Sequence, residues 1–406
     1  MADIFEKAAS FTRAREVREK GIYPYFIPVS SAEDAEAEIL GKKVVMLGSN
    51  NYLGLTTHPK VKEAAKKAID EYGTGSSGSR FLNGTLDIHL KLEKKLAQFV
   101  GKEDALVFST GYQTNLGTIS ALLKRGDFVI MDKLNHASLF DGAYLAIGLD
   151  TLGIRSSGIR VIRYKHNDMA DLKRVLEELP EDAGKLIVTD GVFSMDGDIA
   201  KLPDIVELAR KYGARVMVDD AHAVGVLGEK GSGTPEYFGL TEEVDLIMGT
   251  FSKSFASIGG FIAGDAYVID YIRHFARPLI FSASMPPAAV AAVDAALEIC
   301  INEPERRKKL WDNTRKMIDG FRSLGFNIGP TETPIIPVIV GNDELTFVFW
   351  RRLLEEGVFT NPVVSPAVPP NQARLRTSYM ATHTEEMLDR ALVAFEKVGK
   401  ELGIIS

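Results

Sequence analysis

The chain has 406 residues, 45% of them hydrophobic and 25% charged, enough to bury a large core and to divide into two or three lobes. A formal net charge of −7 excludes a general nucleic-acid binder, which needs a basic face to meet phosphate. The single cysteine, Cys300, excludes an internal disulfide and a cysteine-rich metal site, and it suits a reducing cytoplasm.

Residues 1–20 are charged and patterned as a helix, with no apolar core of signal-peptide length, so no export is expected. Phe5, Phe11 and nearby basic residues leave room for peripheral contact at the inner membrane face. A short strand over 43–47 and a turn over 48–54 precede a helix over 59–72, a glycine-rich loop over 73–84 and a helix ending near 99. Apolar strands are then predicted at 104–109, 127–131, 160–164, 185–190, 215–219, 245–249 and 260–263, with helices at 115–123, 169–179 and 203–212 between them. Buried-type strands with helical crossovers imply a mostly parallel sheet covered on both faces. The apolar run 279–300 is interrupted by Pro286 and Pro287 and carries Asp294 and Glu298, which marks a buried helix rather than a membrane span. Further on, shorter strands at 335–340 and 373–378 with helices at 344–356 and 384–402 imply a smaller α+β domain. The expected division is an N-terminal segment 1–55, a large domain 56–290 and a small domain 291–406.

Two strand ends carry the strongest chemical signal. Lys253 lies between Ser252 and Ser254 just past the strand 245–249, and Asp219 closes the strand 215–219 with His222 three residues on. In open α/β sheets ligands bind at the C-terminal ends of strands. An amine and a carboxylate so placed suit pyridoxal 5′-phosphate, the amine to hold its aldehyde and the carboxylate to keep its pyridine nitrogen protonated. Asp219 alone would read as a helix cap, and a metal site is a minor alternative, because the seven histidines form no His-x-His or His-Glu-x-x-His pattern.

Other candidates follow strands too. His136 has a flat ring able to stack on a pyridine face. Gly111 and Tyr112 open a helix whose amides suit phosphate, and the hydroxyls of Thr250 and Ser252 add donors. Ser194 either contacts the cofactor's phenolate side or only shapes its turn. The loop 73–80 lacks the Gly-Lys-Ser/Thr of a nucleotide site; its glycines, with Ser79 and Arg80, suit a loop that approaches substrate closely. Of Arg374 and Arg376, placed on opposite sides of their strand, one is expected to point inward and grip a carboxylate.

The segments 73–85, 189–197 and 219–222 together resemble the α-oxoamine synthases over nearly the whole length. The resemblance implies an α/β, fold-type I PLP-dependent transferase with a mostly parallel large-domain sheet and a smaller C-terminal α+β domain. It implies a decarboxylative condensation of an amino acid with an acyl-CoA or acyl-carrier-protein thioester, giving an α-aminoketone. Segments 249–260 and 280–287 look most like the members that take L-serine and a long-chain acyl group, the first step of sphingolipid synthesis. Segment 189–197 also resembles the members that take other amino acids, and that alternative stays open beside an aminotransferase and a non-catalytic homologue.

By the same resemblance Lys253 is tether and base, Asp219 holds the pyridinium and His136 stacks on the ring. His222 meets the phenolate side, Arg376 the substrate carboxylate, and Asn51 lies near the substrate. Ser282 and Ala283 are expected to reach across a homodimer interface toward the partner's phosphate.

Overall fold

The structure, a computed structural model, describes residues 3–151 and 158–406. It divides the chain into two compact units: Asn50–Trp311, and the segment up to Ser49 joined with Asp312–Ser406. These bounds differ from divisions after 55 and 290. Strand Lys42–Met46 pairs in parallel with Val358–Phe359, which ties the N-terminal segment to the C-terminal one. Helix Pro287–Asn302 packs on helix Pro59–Tyr72 and so stays with the larger unit.

Among the described residues of the larger unit, seven strands form one sheet. In chain order they are β1 (Asp104–Phe108), β2 (Phe128–Asp132), β3 (Arg160–Tyr164), β4 (Lys185–Asp190), β5 (Arg215–Asp219), β6 (Leu246–Thr250) and β7 (Gly260–Gly264). Their spatial order is β1-β7-β6-β5-β4-β2-β3, parallel except that β7 runs against both neighbours. Side chains alternate between two cores, as a period of two requires. Ala105, Val107, Ile130, Ile187 and Val218 enter one, while Leu106, Val129, Met131, Val188 and Met217 enter the other. Burial on both faces explains why β2, β4 and β6 read as continuous apolar runs rather than alternating ones.

The smaller unit holds two three-stranded sheets among its described residues. Phe321, Phe326, Phe349 and Phe395 pack there with ring centroids 4.9 to 6.1 Å apart. The single helix expected over 1–20 is two short ones, Glu6–Ala9 and Arg13–Glu19, and neither buries a residue. Among the described residues no helix is long and apolar enough to cross a membrane. Cys300 is buried on Pro287–Asn302, and burial pushes its thiol up to about 11, so it packs as an apolar residue.

An ionic clamp ties two loops at the C-terminal edge of the sheet. The His166 ring lies between Asp132 Oδ1 (3.0 Å) and Asp198 Oδ2 (2.9 Å). Burial alone would lower the imidazole's pKa, but the two carboxylates outweigh it and lift it to about 10. The cation's contribution is therefore complete below the unfolded value near 6.5 and is lost as pH rises through about 10. Removing it leaves fully buried Asp132 with no counter-charge here, held only by the N–H groups of Leu134 (2.8 Å) and Asn167 (2.9 Å). His166→Gln is expected to cost about 1–3 kcal/mol at pH 6 and to flatten the fall in stability expected of the wild type as pH rises from about 7 toward 10. Thermal unfolding at pH 6, 8 and 10 measures this; a variant as stable as the wild type at pH 6 would remove the clamp from the account.

Candidate active site

The C-terminal ends of β1, β2, β4, β5 and β6 open into one cavity of about 380 Å³, within the range of roughly 300–1,000 Å³ usual for small-molecule sites. Nine of the residues singled out in the sequence line it: Gly111, Tyr112, His136, Ser194, Asp219, His222, Thr250, Ser252 and Lys253. They come from five separate segments, and the sheet's parallel run gathers them because each follows a strand at the same edge.

The phosphate end is built at the start of helix Gly111–Leu122. Thr110 caps it, its hydroxyl accepting from the Gln113 N–H at 3.1 Å. Thr250 and Ser252 hydroxyls lie 3.0 Å apart beside it. A Cβ on Gly111 would stand 2.7 Å from Thr250 Oγ1, so only glycine lets helix start and strand end close on one anion. Gly259, at φ +119°, holds the return of the lysine loop, where the Phe251 N–H donates to its carbonyl at 2.9 Å.

The opposite end is acidic. Asp219 is 4% exposed; its Oδ1 accepts from the Ala221 N–H (3.0 Å) and its Oδ2 from Asn115 Nδ2 (2.7 Å). Asp190 is its neighbour in register across β4 and β5. Burial first, then the charge of Asp219, hold Asp190 well above the ordinary carboxylate range, while the His136 N–H and Lys253 oppose the shift. Burial also pushes the adjacent Asp220 up to about 7, against the N–H of Thr234 that donates to it at 2.7 Å.

Each of the two histidines is held by a hydroxyl, from outside the cavity for His222 and from its wall for His136. His222 Nδ1 is 2.7 Å from the hydroxyl of buried Tyr52, and His136 Nδ1 is 2.7 Å from Ser138 Oγ. By contrast His89 is a core histidine, bonded to the Leu86 N–H and the Met285 carbonyl, and burial lowers it to about 4.

Five expected site residues do not line this cavity. Asn51 is buried in a turn, donating to Thr56 Oγ1 (2.7 Å) and accepting from the Leu55 N–H (2.9 Å). Ser79 is 9% exposed, and Arg80 beside it is committed to a buried pair with Glu93 at 2.7 Å rather than to a substrate. Ser282 Oγ accepts from Gln113 Nε2 at 3.0 Å, and the Ala283 carbonyl accepts from Ser109 Oγ. Arg376 belongs to the smaller unit, where it donates to Ser378 Oγ at 2.6 Å. Residues two apart on a strand share a face, so Arg374 and Arg376 do not face opposite sides, and both are buried, at 3% and 4% exposure.

Asn115, Ser138 and Asp190 also line the cavity and were not singled out in the sequence. Only Asn115 left a signal there, one helical turn after Gly111 and so on the same face. Among the described residues no group of three His, Cys, Asp or Glu could hold a metal ion.

The donor set fits pyridoxal phosphate. One end offers a helix N-terminus and two hydroxyls, the other a buried carboxylate, with Lys253 in the wall. The buried oxygen Asn115 Oδ1, on a residue that lines the cavity, has no hydrogen-bond partner within the chain, which suits a wall meant to meet a ligand. Sheet, lysine, carboxylate and helix start together define the fold-type I class of pyridoxal-phosphate transferases. Comparison with known proteins agrees: the model of the aminotransferase class I and II family matches residues 42–395. The chain is 52% identical over 401 residues to a serine palmitoyltransferase of Sphingobacterium spiritivorum, covering 99% of this chain and 98% of that protein. It is 47% identical over 394 residues to an 8-amino-7-oxononanoate synthase of Thermoanaerobacter pseudethanolicus, covering 97% of each. A solved serine palmitoyltransferase of S. paucimobilis, with PLP and myriocin bound, superposes with a TM-score of 0.94 at 36% identity over the full length of both chains. The chain belongs to the aminotransferase class I and II family, and within it to the α-oxoamine synthases.

Proposed function

We propose that the chain is a PLP-dependent acyltransferase that joins L-serine to a long-chain acyl thioester, releasing CO₂ and the free thiol and leaving a 3-ketodihydrosphingosine-type aminoketone. The observation that carries the reading is the convergence of Lys253, Asp219 and the Gly111 helix start on one cavity, in a chain 52% identical to a serine palmitoyltransferase. Bound pyridoxal phosphate supplies an aldehyde that condenses with amines and a protonated pyridine ring that draws the electron pair released at Cα.

The chain's own residues do the rest. The Lys253 amine would hold the cofactor's aldehyde and, when free, would take the proton from serine's Cα. Asp219 keeps the pyridine nitrogen protonated. The amides of Gly111 and Tyr112, with Thr250 and Ser252, would bind phosphate; His136 would meet the ring, and His222 and Ser194 would serve the phenolate side. From the resemblance alone, Asn51, Ser79 and Arg376 are assigned to substrate. The proposed working form is a cytoplasmic homodimer in which Ser282 and Ala283 complete the partner's phosphate site. Exposure of Phe281 (72%) and Leu82 (77%) on the single chain, in segments joined by the Ser284 N–H donating to the Gly78 carbonyl at 2.9 Å, supports a covered face there.

The 47% identity to an 8-amino-7-oxononanoate synthase keeps one rival in view. That product's name requires an amino-acid fragment ending in a methyl group, hence alanine, whereas the proposed product keeps serine's hydroxymethyl. The expected result, with purified protein given serine, glycine and alanine together with palmitoyl thioester, is a serine-derived aminoketone as the main product by mass spectrometry. Mainly glycine- or alanine-derived ketones would leave the family standing and overturn the serine reading.

A further inference from the structure

A buried line of hydrogen bonds runs from Asp219 to His136 through two side chains outside the recognised motifs. Asn115 is 1% exposed, and its Nδ2 lies 2.7 Å from Asp219 Oδ2 and 2.8 Å from Ser138 Oγ. An amide nitrogen carries two hydrogens, one for each contact. Turning the amide over would set its oxygen against the carboxylate, acceptor to acceptor, so Asp219 fixes which way Asn115 faces. Ser138, also 1% exposed, accepts from Asn115, and its hydroxyl proton is then directed at His136 Nδ1, 2.7 Å away. The Ser138 backbone N–H points at the same nitrogen from 3.3 Å. A ring nitrogen that faces two donors carries no proton of its own.

We infer that Asn115 and Ser138 are positioning residues that hold the His136 ring proton on Nε2, so that the Asp219 carboxylate and the His136 tautomer are set together. The tautomer follows from the chain's own hydrogen bonds and does not need a ligand. Its consequence rests on the proposed function: the Nε2–H is left as a donor for the amino acid's carboxylate.

The test reads the tautomer directly. Long-range ¹H–¹⁵N NMR of the cofactor-free protein, with the His136 ring assigned by its loss in His136→Asn, is expected to show a single Nε2–H form. Ser138→Ala, which removes only the hydroxyl, is expected to give a mixture of the two tautomers, and Ser138→Thr to restore the single form. Asn115→Leu should also give a mixture, because the Ser138 hydroxyl is then free to turn. In the holoenzyme Ser138→Ala should raise the serine KM about tenfold, the loss of one hydrogen bond, with a smaller change in kcat. A wild-type Nδ1–H form, or a Ser138→Ala spectrum identical to the wild type, would overturn the inference. A protein showing the Nε2–H form but unable to bind pyridoxal phosphate would support the relay and sink the proposed function, so the two fail separately.

Discussion

Lys253→Ala is expected to lower turnover by roughly 10³-fold or more, because the change removes the proposed tether and base together. The residue sits in the cavity wall and is part-buried, so truncation removes little packing, and stability should change by less than about 1 kcal/mol. The variant is expected still to take up pyridoxal phosphate, since the Gly111 helix start, Thr250, Ser252 and Asp219 are untouched. Steady-state turnover, thermal unfolding and the visible absorbance of the bound cofactor measure the three parts. Turnover close to the wild type would move the chemistry to another amine.

Asp219→Asn is the second large effect. The substitution keeps the shape and the acceptor for the Ala221 N–H, but it replaces a carboxylate by a group that cannot hold a pyridinium charge. It also sets an amide against Asn115 Nδ2, which now donates to Asp219 Oδ2 at 2.7 Å, so the line to His136 is disturbed at its origin. A loss of turnover on the order of 10²–10³-fold is expected, comparable to removing one preorganised electrostatic partner. Exchange of serine's α-proton with solvent should fall in parallel, because the step that needs the charge precedes attack on the thioester. Unchanged proton exchange in this variant would place the pyridine partner elsewhere, with Asp190 as the next candidate in the cavity wall.

With Asp219 neutralised, Asp190 loses the charge that reinforces its burial, so its carboxyl should return toward the ordinary range in the variant. Asp190 therefore cannot be treated as a site independent of Asp219.

The seven-stranded sheet and the chemistry at its edge were largely legible in the sequence. Strands such as Arg160–Tyr164, Lys185–Asp190, Arg215–Asp219 and Ala373–Ser378 coincide with the runs read from apolar pattern alone. Their reactive residues could be located because a parallel sheet delivers its ligands at strand ends, so position in the chain already specified position in the site. The same logic brought Lys253, Asp219, His136 and Thr250 into one cavity although they lie on different segments.

What only the tertiary structure decided are the partners whose identity depends on which segments fold against each other. Arg80 was read toward substrate, yet Glu93, thirteen residues on, faces it with both oxygens, and a buried guanidinium goes to the carboxylate that satisfies its fork. Tyr52 behind His222 is 170 residues away in the chain, and Asn115 meets Asp219 across 104. The grouping of the N-terminal segment with the C-terminal unit rests on a parallel pairing of Lys42–Met46 with Val358–Phe359 that no local pattern announces. Local sequence reports the period and burial of an element, because these depend on its own side chains. It does not report register or side-chain partners at long range, because those are settled by the packing of the whole core, and in this chain they determine how Asp219, His136 and His222 are held.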